Sequence, residues 1–264
     1  MSKTSEQTVT IVTPAYNAEK LIDSTIQSVV NQSFDEWEML VVDDCSTDRT
    51  RDIVQKWAEE DPRIKLIALN ANFGGPAGPR NIGVREASGK FVAFLDSDDI
   101  WHPRKLEIQL QVLSKSNASF VCSQMKDFTS EQEISFDGIE RYDLEDVSFK
   151  QQSLRARIPT SSVIAERDLL KATPFVEGIN YKAVEDYHCW LRILERNPKC
   201  IKVRAPLLFY RKIEGQISGS KMAMMKKVFM VHWDYPGRSF SEAVFLTLTH
   251  VLGGLYFRFI KKGM

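Results

Sequence analysis

Apolar runs of five to seven residues alternate with amphipathic segments through roughly the first half of the chain. "TVTIVTP" predicts a buried strand that ends at Pro14. "NAEKLIDSTIQSVVNQ" follows it, with Leu21, Ile22, Ile26, Val29 and Val30 at helical spacing and Asn17 placed to cap the helix. "EMLVVDD" predicts a second strand, and Ser46 or Thr47 caps a helix through Ile53, Val54 and Trp57. "IKLIAL" is a third strand, the Gly/Pro-rich "NANFGGPAGP" a loop, and Arg80 to Ala87 a short helix. "KFVAFL" is a fourth strand. "PRKLEIQLQVLSK" is a helix with Pro103 near its first turn, and "ASFVCSQ" is a fifth strand. Such alternation implies βαβ units, hence an α/β chain with a Rossmann-like, mostly parallel sheet flanked by helices. Right-handed crossovers then put the strand C-termini along one edge, where ligands of these sheets bind.

Three polar clusters fall at such strand ends: "PAYN", "DDCSTD" and "DSDD". Two carboxylates around one intervening residue, Asp96 and Asp98, can share a hard divalent cation with substrate phosphates. Capping of the next helix is the plain alternative, and Asp99 fits either an extra ligand or that cap. Asp44 can accept hydrogen bonds from a ribose or a base N–H. Tyr16 offers a base an aromatic face, and Pro14 fixes the turn. This turn lacks the G-x-G-x-x-G of dinucleotide folds, which argues against NAD or FAD. "NFGGPAGPRNIG" brings Arg80 to a helix start but lacks G-K-[ST], which argues against ATP hydrolysis.

The second half is less regular. The acidic stretch "FTSEQEISFDGIERYDLEDVSFKQQ" predicts loops and short strands over the site, "TSSVIAERDLLKAT" a strand and a helix, and "APLLFYRK" a late strand. "EDYHCWLRILERN" is a helix with Glu185 and Asp186 in its first turn, either as dipole-favoured acids or as a general base aimed into the cleft. His188 falls on a different face. Near the C-terminus Ser239 and Glu242 form a capping box. Phe245, Leu248, Leu252, Leu255 and Phe259 then recur on one helix face, with Thr247, His250, Gly254, Arg258 and Lys261 on another. Residues 1–220 therefore read as one catalytic domain and 221–264 as a basic amphipathic helical appendage.

Charge sharpens that division. The formal net charge is zero, so bulk charge points to no nucleic-acid partner. From Lys202 onward, however, eleven Lys and Arg face three acids, leaving a basic tail on an acidic body. Together with the apolar helix face, this suggests contact with an anionic membrane surface. The four cysteines make no C-x-x-C pair, which fits a reduced, cytoplasmic setting, and the polar N-terminus has no apolar signal core.

In order, "TPAYN", "VVDDCSTDRT", "GPRNIG", "FLDSDDIW", "SSV", "EDYHCWLRI" and "YRKIEGQIS" resemble the family 2 glycosyltransferases, from about Val9 to about Ser218. The resemblance implies a GT-A fold and an inverting transfer from a nucleotide diphosphate-sugar that uses Mn2+ or Mg2+. It implies donor contacts at Pro14, Tyr16, Asp44, Arg80, Asp96 and Ser97, metal ligands at Asp98 and Asp99, and a catalytic base at Asp186. Glu185, Trp190, Tyr210 and Arg211 are expected contacts to diphosphate or acceptor. Many relatives place a His where Ile213 stands, and the Q-x-x-R-W of processive synthases is absent, which favours addition of a single sugar. The implied acceptor is a lipid-linked or surface-polysaccharide precursor, met at the cytoplasmic face of the inner membrane. A sugar nucleotidyltransferase would want a Gly-rich loop with Arg and Lys after the first strand, and "PAYNAEK" supplies none. A non-catalytic nucleotide-sugar-binding protein is hinted at only by Ile213.

Overall fold

The computed structural model describes residues 9–136, 138–196, 199–213 and 221–259, with the backbone alone at 221 and 254–259. In chain order the elements are β1 (Val9–Ala15), α1 (Ile22–Val30), β2 (Trp37–Asp43), α2 (Thr50–Glu60), β3 (Ile64–Ala68), α3 (Ala77–Glu86) and β4 (Phe91–Phe94). There follow β5 (Ile100–Trp101), α4 (Lys105–Lys115), β6 (Phe120–Phe128), β7 (Leu144–Val147), α5 (Phe149–Leu154), β8 (Ile164–Glu166) and α6 (Arg167–Ala172). The last are α7 (Glu185–Glu195), β9 (Cys200–Arg211), α8 (Lys221–Trp233) and α9 (Phe240–Phe259).

Every residue of β1 and β2 is buried, because helices cover both faces of the sheet. That is why these strands read as continuous apolar runs. Their polar members are satisfied internally: Thr10 donates to Glu38 at 2.8 Å, and Lys65 closes on the same carboxylate at 2.8 Å. The strand order is β3-β2-β1-β4-β8-β6-β9-β5, with β7 on β9. β1 pairs in parallel with β2 and β4, and β2 with β3. β8 is antiparallel to both β4 and β6, so the fifth strand expected from the sequence is separated from the fourth by a reversed three-residue strand. β6 and β9 are again parallel. The result is a mostly parallel sheet whose strand ends open on one edge. Helix α3 lies close on β1, where a Cβ at Gly83 would stand 2.3 Å from Val12 Cγ1. That approach sets the depth at which Arg80, one turn earlier, enters the sheet edge.

The C-terminal helices share a core with α7. Val228, Val231 and Tyr235 pack against Val184, Tyr187 and Leu191. The capping box at Ser239 and Glu242 forms as expected, with reciprocal bonds of 2.8 and 3.3 Å. The docked face of α9 is not the apolar one. Ala243, Thr247, His250 and Gly253 face inward, whereas Phe245, Leu248 and Leu252 are 59%, 52% and 62% exposed. The seat itself is polar, which explains the inversion. Tyr187 donates to the Ser153 carbonyl at 3.0 Å and lies 3.1 Å from His232 Nε2, while Arg238 closes on His232 Nδ1. The Leu255, Arg258 and Phe259 side chains and Lys261 lie outside the described residues.

Burial, then Arg238 and His250, lowers His232 to about 3; burial, then Arg155, lowers His250 to about 4. In the unfolded chain these imidazoles bind protons near pH 6.5. The unfolded state therefore holds more protons below that pH, and stability is lost as pH falls from about 6.5 towards 4. Urea unfolding at stepped pH should show a loss of about 1.4 kcal/mol per pH unit from fully buried His232 alone. A flat profile over that window would contradict this seat.

Candidate active site

The loops after β1 and β2 are zipped together. Asn17 is left-handed at φ 49°; its N–H donates to Ser46 Oγ at 2.9 Å, and its Oδ1 accepts from the Thr47 N–H at 2.9 Å. It does not cap α1, which starts at Ile22 after a turn. Ser46 and Thr47 do not cap α2 either. Asp48 accepts the Thr50 N–H at 3.0 Å, because the two hydroxyl side chains are turned toward Asn17. Asp43 is fully buried and bridged by Arg51. Asp44 points the other way and accepts the Phe73 N–H at 2.8 Å from the Gly-rich loop. Burial holds its pKa above the ordinary carboxylate value against these amides.

Between these loops and β4 lies a cavity of about 500 Å³. Pro14, Tyr16, Asp44, Arg80, Asp96, Ser97 and Asp98 all line it, so seven sequence-derived candidates meet on one wall system. The "DSDD" turn is pinned from beneath: Thr25 donates to the carbonyls of Ser97 and Asp99 at 3.1 and 2.9 Å.

Arg80 is the electrostatic centre. Its guanidinium is buried, 2.6 Å from Asp96 Oδ1 and 2.9 Å from Glu185 Oε1. Burial by itself would lower its pKa; Asp96, Glu185 and Asp186 outweigh burial and hold it above the ordinary value. Burial, then Asp186, pushes Glu185 up against the pull of Arg80. Arg80 thus ties a donor-side carboxylate to the start of α7, a role its place in a Gly-rich loop did not reveal.

A second cavity of about 250 Å³ opens on the far side of Asp96. Its walls include Met125, Pro159, Thr160, Tyr210 and Asp186. Thr160 Oγ1 donates to Asp186 Oδ2 at 2.9 Å, and Trp190 Nε1 donates to Thr160 Oγ1 at 3.0 Å. Asp96 is the residue both cavities share.

Three expectations are corrected here. Trp190 lines neither of these two cavities: it is fully buried, stacked on Phe120 at 5.8 Å, and acts through Thr160 to orient Asp186. Asp99 is not placed as a metal ligand or a helix cap. It is fully buried, its Oδ1 accepts the Arg211 N–H at 3.1 Å, and α4 begins only at Lys105. Burial, then Asp98 and Asp96, drives its pKa far up, as expected for a carboxyl held away from water. Arg211 does not reach toward a diphosphate. It donates to the Asp98 carbonyl at 2.8 Å, to Ser24 at 3.0 Å and to Glu131 at 2.8 Å, bracing the turn from behind. Glu185 is buried against Arg80, and Tyr210 lies in the second cavity. The residues after Ile213, up to 220, lie outside the described residues.

Asp98 is the donor best placed for a cation. It is partly exposed on the larger cavity, beside Asp96 and opposite Asp44, so that wall carries an acid surplus. Among the described residues no group of three or more His, Cys, Asp or Glu forms a complete metal site. One carboxylate with phosphate and water completing the shell suits Mg2+ or Mn2+, which keep water and bind through few protein ligands.

Sequence reasoning missed Thr160 and Lys182. Thr160 is signalled by the Pro-led polar turn "PTSS" before a buried strand. Lys182, which joins Arg80 as a cation on the larger cavity, sits in a loop with no periodic pattern.

A nucleotide-sized cavity at the strand ends, with a second cavity carrying an oriented carboxylate, defines a GT-A type glycosyltransferase. The chain belongs to the glycosyl transferase family 2, whose model matches residues 10–168. It is 33% identical over 89% of its length to the putative teichuronic acid biosynthesis glycosyltransferase TuaG of Bacillus subtilis, covering 91% of that protein. It is 34% identical over 93% of its length to WfgD of Escherichia coli, a UDP-Glc:alpha-D-GlcNAc-diphosphoundecaprenol beta-1,3-glucosyltransferase, again covering 93%. In fold it is similar to Staphylococcus aureus TarS 1-349 in complex with UDP-GlcNAc (TM-score 0.71, 22% identity, 97% of this chain and 74% of that one). It is also similar to the Pyrobaculum calidifontis mannosyltransferase PcManGT in complex with GDP-Man and Mn2+ (TM-score 0.68, 19% identity, 92% and 69%).

Proposed function

We propose that the enzyme transfers one sugar from a nucleoside diphosphate-sugar to a hydroxyl of a lipid-linked saccharide, with inversion at the anomeric carbon. The observation that carries this reading is the meeting of the two cavities at Asp96, with Asp186 lining only the smaller one. The donor lies along Pro14, Tyr16 and Asp44, with its diphosphate toward Asp98. Asp98 would hold a divalent cation, which when bound would neutralise charge on the departing diphosphate. Asp186, held by Thr160, takes the proton of the acceptor hydroxyl as its oxygen bonds to the anomeric carbon. The bond from that carbon to the phosphate oxygen breaks, and the nucleoside diphosphate leaves with the electron pair. UDP-glucose is the donor to test first, because the relative WfgD is a UDP-Glc-dependent glucosyltransferase. Transfer should require Mn2+ or Mg2+ and fall about a hundredfold in Asp98→Asn. Cation-independent transfer that Asp98→Asn does not change would contradict this assignment.

No helix among the described residues is long and apolar enough to cross a membrane. The outward row Phe245, Leu248 and Leu252 supports a peripheral contact, as does the half-exposed Trp233 packed on Phe240 at 5.6 Å. Lys226 and the rest of the basic tail add attraction to anionic headgroups. Sedimentation with phosphatidylglycerol vesicles should therefore drop about tenfold or more in a Phe245→Glu/Leu252→Glu double variant. Equal sedimentation of variant and wild type would make α9 a docking helix only.

A further inference from the structure

Lys182 stands apart from the residues that motif reasoning supplies. It lines the larger cavity together with Asp44, Asn72, Gly74 and Gly75. Its stem lies along the Gly-rich loop, where a Cβ on Gly75 would be 3.6 Å from Lys182 Cγ. Its backbone is held on its C-terminal side. The Lys182 carbonyl accepts from Lys227 of α8, and the next residue, Ala183, is left-handed at φ 74°. A non-glycine residue held there by its surroundings is a strained arrangement of the kind that persists where a side chain must be aimed. Asp44 and Lys182 line the same cavity, Lys182 along Gly75 and Asp44 holding the Phe73 N–H at the other end of that loop, and the Lys182 charge acts on Asp44. The other cation of the cavity, Arg80, is already shared between Asp96 and Glu185.

We propose that Lys182 and Asp44 together read the nucleobase edge, the ammonium donating to a ring carbonyl while the carboxylate accepts the adjacent ring N–H. This rests on the larger cavity being the donor site. Uracil, thymine and guanine each present a ring N–H beside a carbonyl oxygen, so they match an acceptor next to a donor. Cytosine and adenine present a ring-nitrogen lone pair beside an amino group. They would set lone pair against carboxylate and amine against ammonium, a mismatch at both points. Lys182 is thus a specificity-determining residue, selecting donors built on keto bases with a ring N–H.

The test is calorimetric binding of UDP, GDP, CDP and ADP, each with Mn2+, to the full chain and to Lys182→Met, Lys182→Arg and Asp44→Leu. Wild type should bind UDP or GDP about tenfold or more tighter than CDP or ADP. Lys182→Met should weaken the favoured nucleotide by about tenfold and bring CDP to within a few-fold of it, with Lys182→Arg intermediate. Equal loss for all four nucleotides would overturn the proposal, since the ammonium would then be serving the diphosphate. Unchanged UDP binding with weakened UDP-glucose binding would overturn it in favour of a sugar contact. If Asp44→Leu also leaves UDP binding untouched, or wild type binds no nucleoside diphosphate, the donor-site reading falls and takes this one with it. If only Lys182→Met is silent, this inference alone falls.

Discussion

Asp186→Asn should lower the turnover of sugar transfer by about a thousandfold while the protein stays folded and continues to bind nucleotide. The amide keeps the shape of the side chain, and Thr160 can still donate to its oxygen, as it does to Asp186 Oδ2 at 2.9 Å. What the substitution would remove is the basic lone pair that the proposed mechanism uses to take the acceptor proton. Asp186 lines the smaller cavity and not the larger one, so its loss should appear in kcat and leave nucleotide affinity near wild type. Steady-state assays with a radiolabelled donor, beside calorimetric titration with UDP, check both halves. A variant that keeps wild-type turnover would remove Asp186 from the chemistry. The nearby His188 is no substitute as a base. Its ring packs on Tyr181 at 4.8 Å, and burial, then Arg192, lowers it to about 4.

The second large effect is structural and catalytic together. Arg80→Met should cost about 3–5 kcal/mol in urea unfolding at pH 7.5, because it leaves buried Glu185 without its cation. Glu185 already sits above its ordinary pKa through burial and Asp186, and without Arg80 it must rise further. Its native form then binds more protons than the unfolded chain above pH 4.5. Stability of the variant should fall as pH rises through that window, opposite in sign to the histidine effect on the C-terminal seat. Adding Glu185→Gln should recover much of the stability. It should not recover transfer, since Asp96 still lacks its partner at 2.6 Å between the two cavities. Recovery of full activity in the double variant would show that Arg80 serves stability alone.

Much of this was legible because burial makes β1, β2 and β4 apolar runs, and polar residues at their ends then stand out. Asp44, Asp96 and Asp98 were found that way, and the structure brings them to one cavity. What the pattern could not show is which polar group faces a partner inside the protein. Asp99 looks like its neighbours in the sequence, yet it turns inward to hold the Arg211 N–H. Trp190 lies four residues after Asp186 on one helix face, but that face curves from the cavity into the core within one turn. Arg211 ends an alternating strand and is consumed by the Asp98 carbonyl, Ser24 and Glu131, contacts that come from distant segments. The α9 helix shows the same limit. Its apolar row was visible, but the polar seat built by Tyr187, His232 and Arg238 decides which row is buried. Lys182 had no local signal at all, because its placement depends on Gly75 and on Lys227 of α8.

Nucleotide binding and sugar transfer, measured side by side in wild type, Asp98→Asn and Asp186→Asn with Mn2+ present, separate the two cavities most directly. Asp98→Asn should lose cation-dependent UDP affinity and transfer together, whereas Asp186→Asn should bind UDP like wild type and transfer about a thousandfold more slowly. Loss of UDP affinity in Asp186→Asn with full affinity in Asp98→Asn would contradict the division of the site at Asp96.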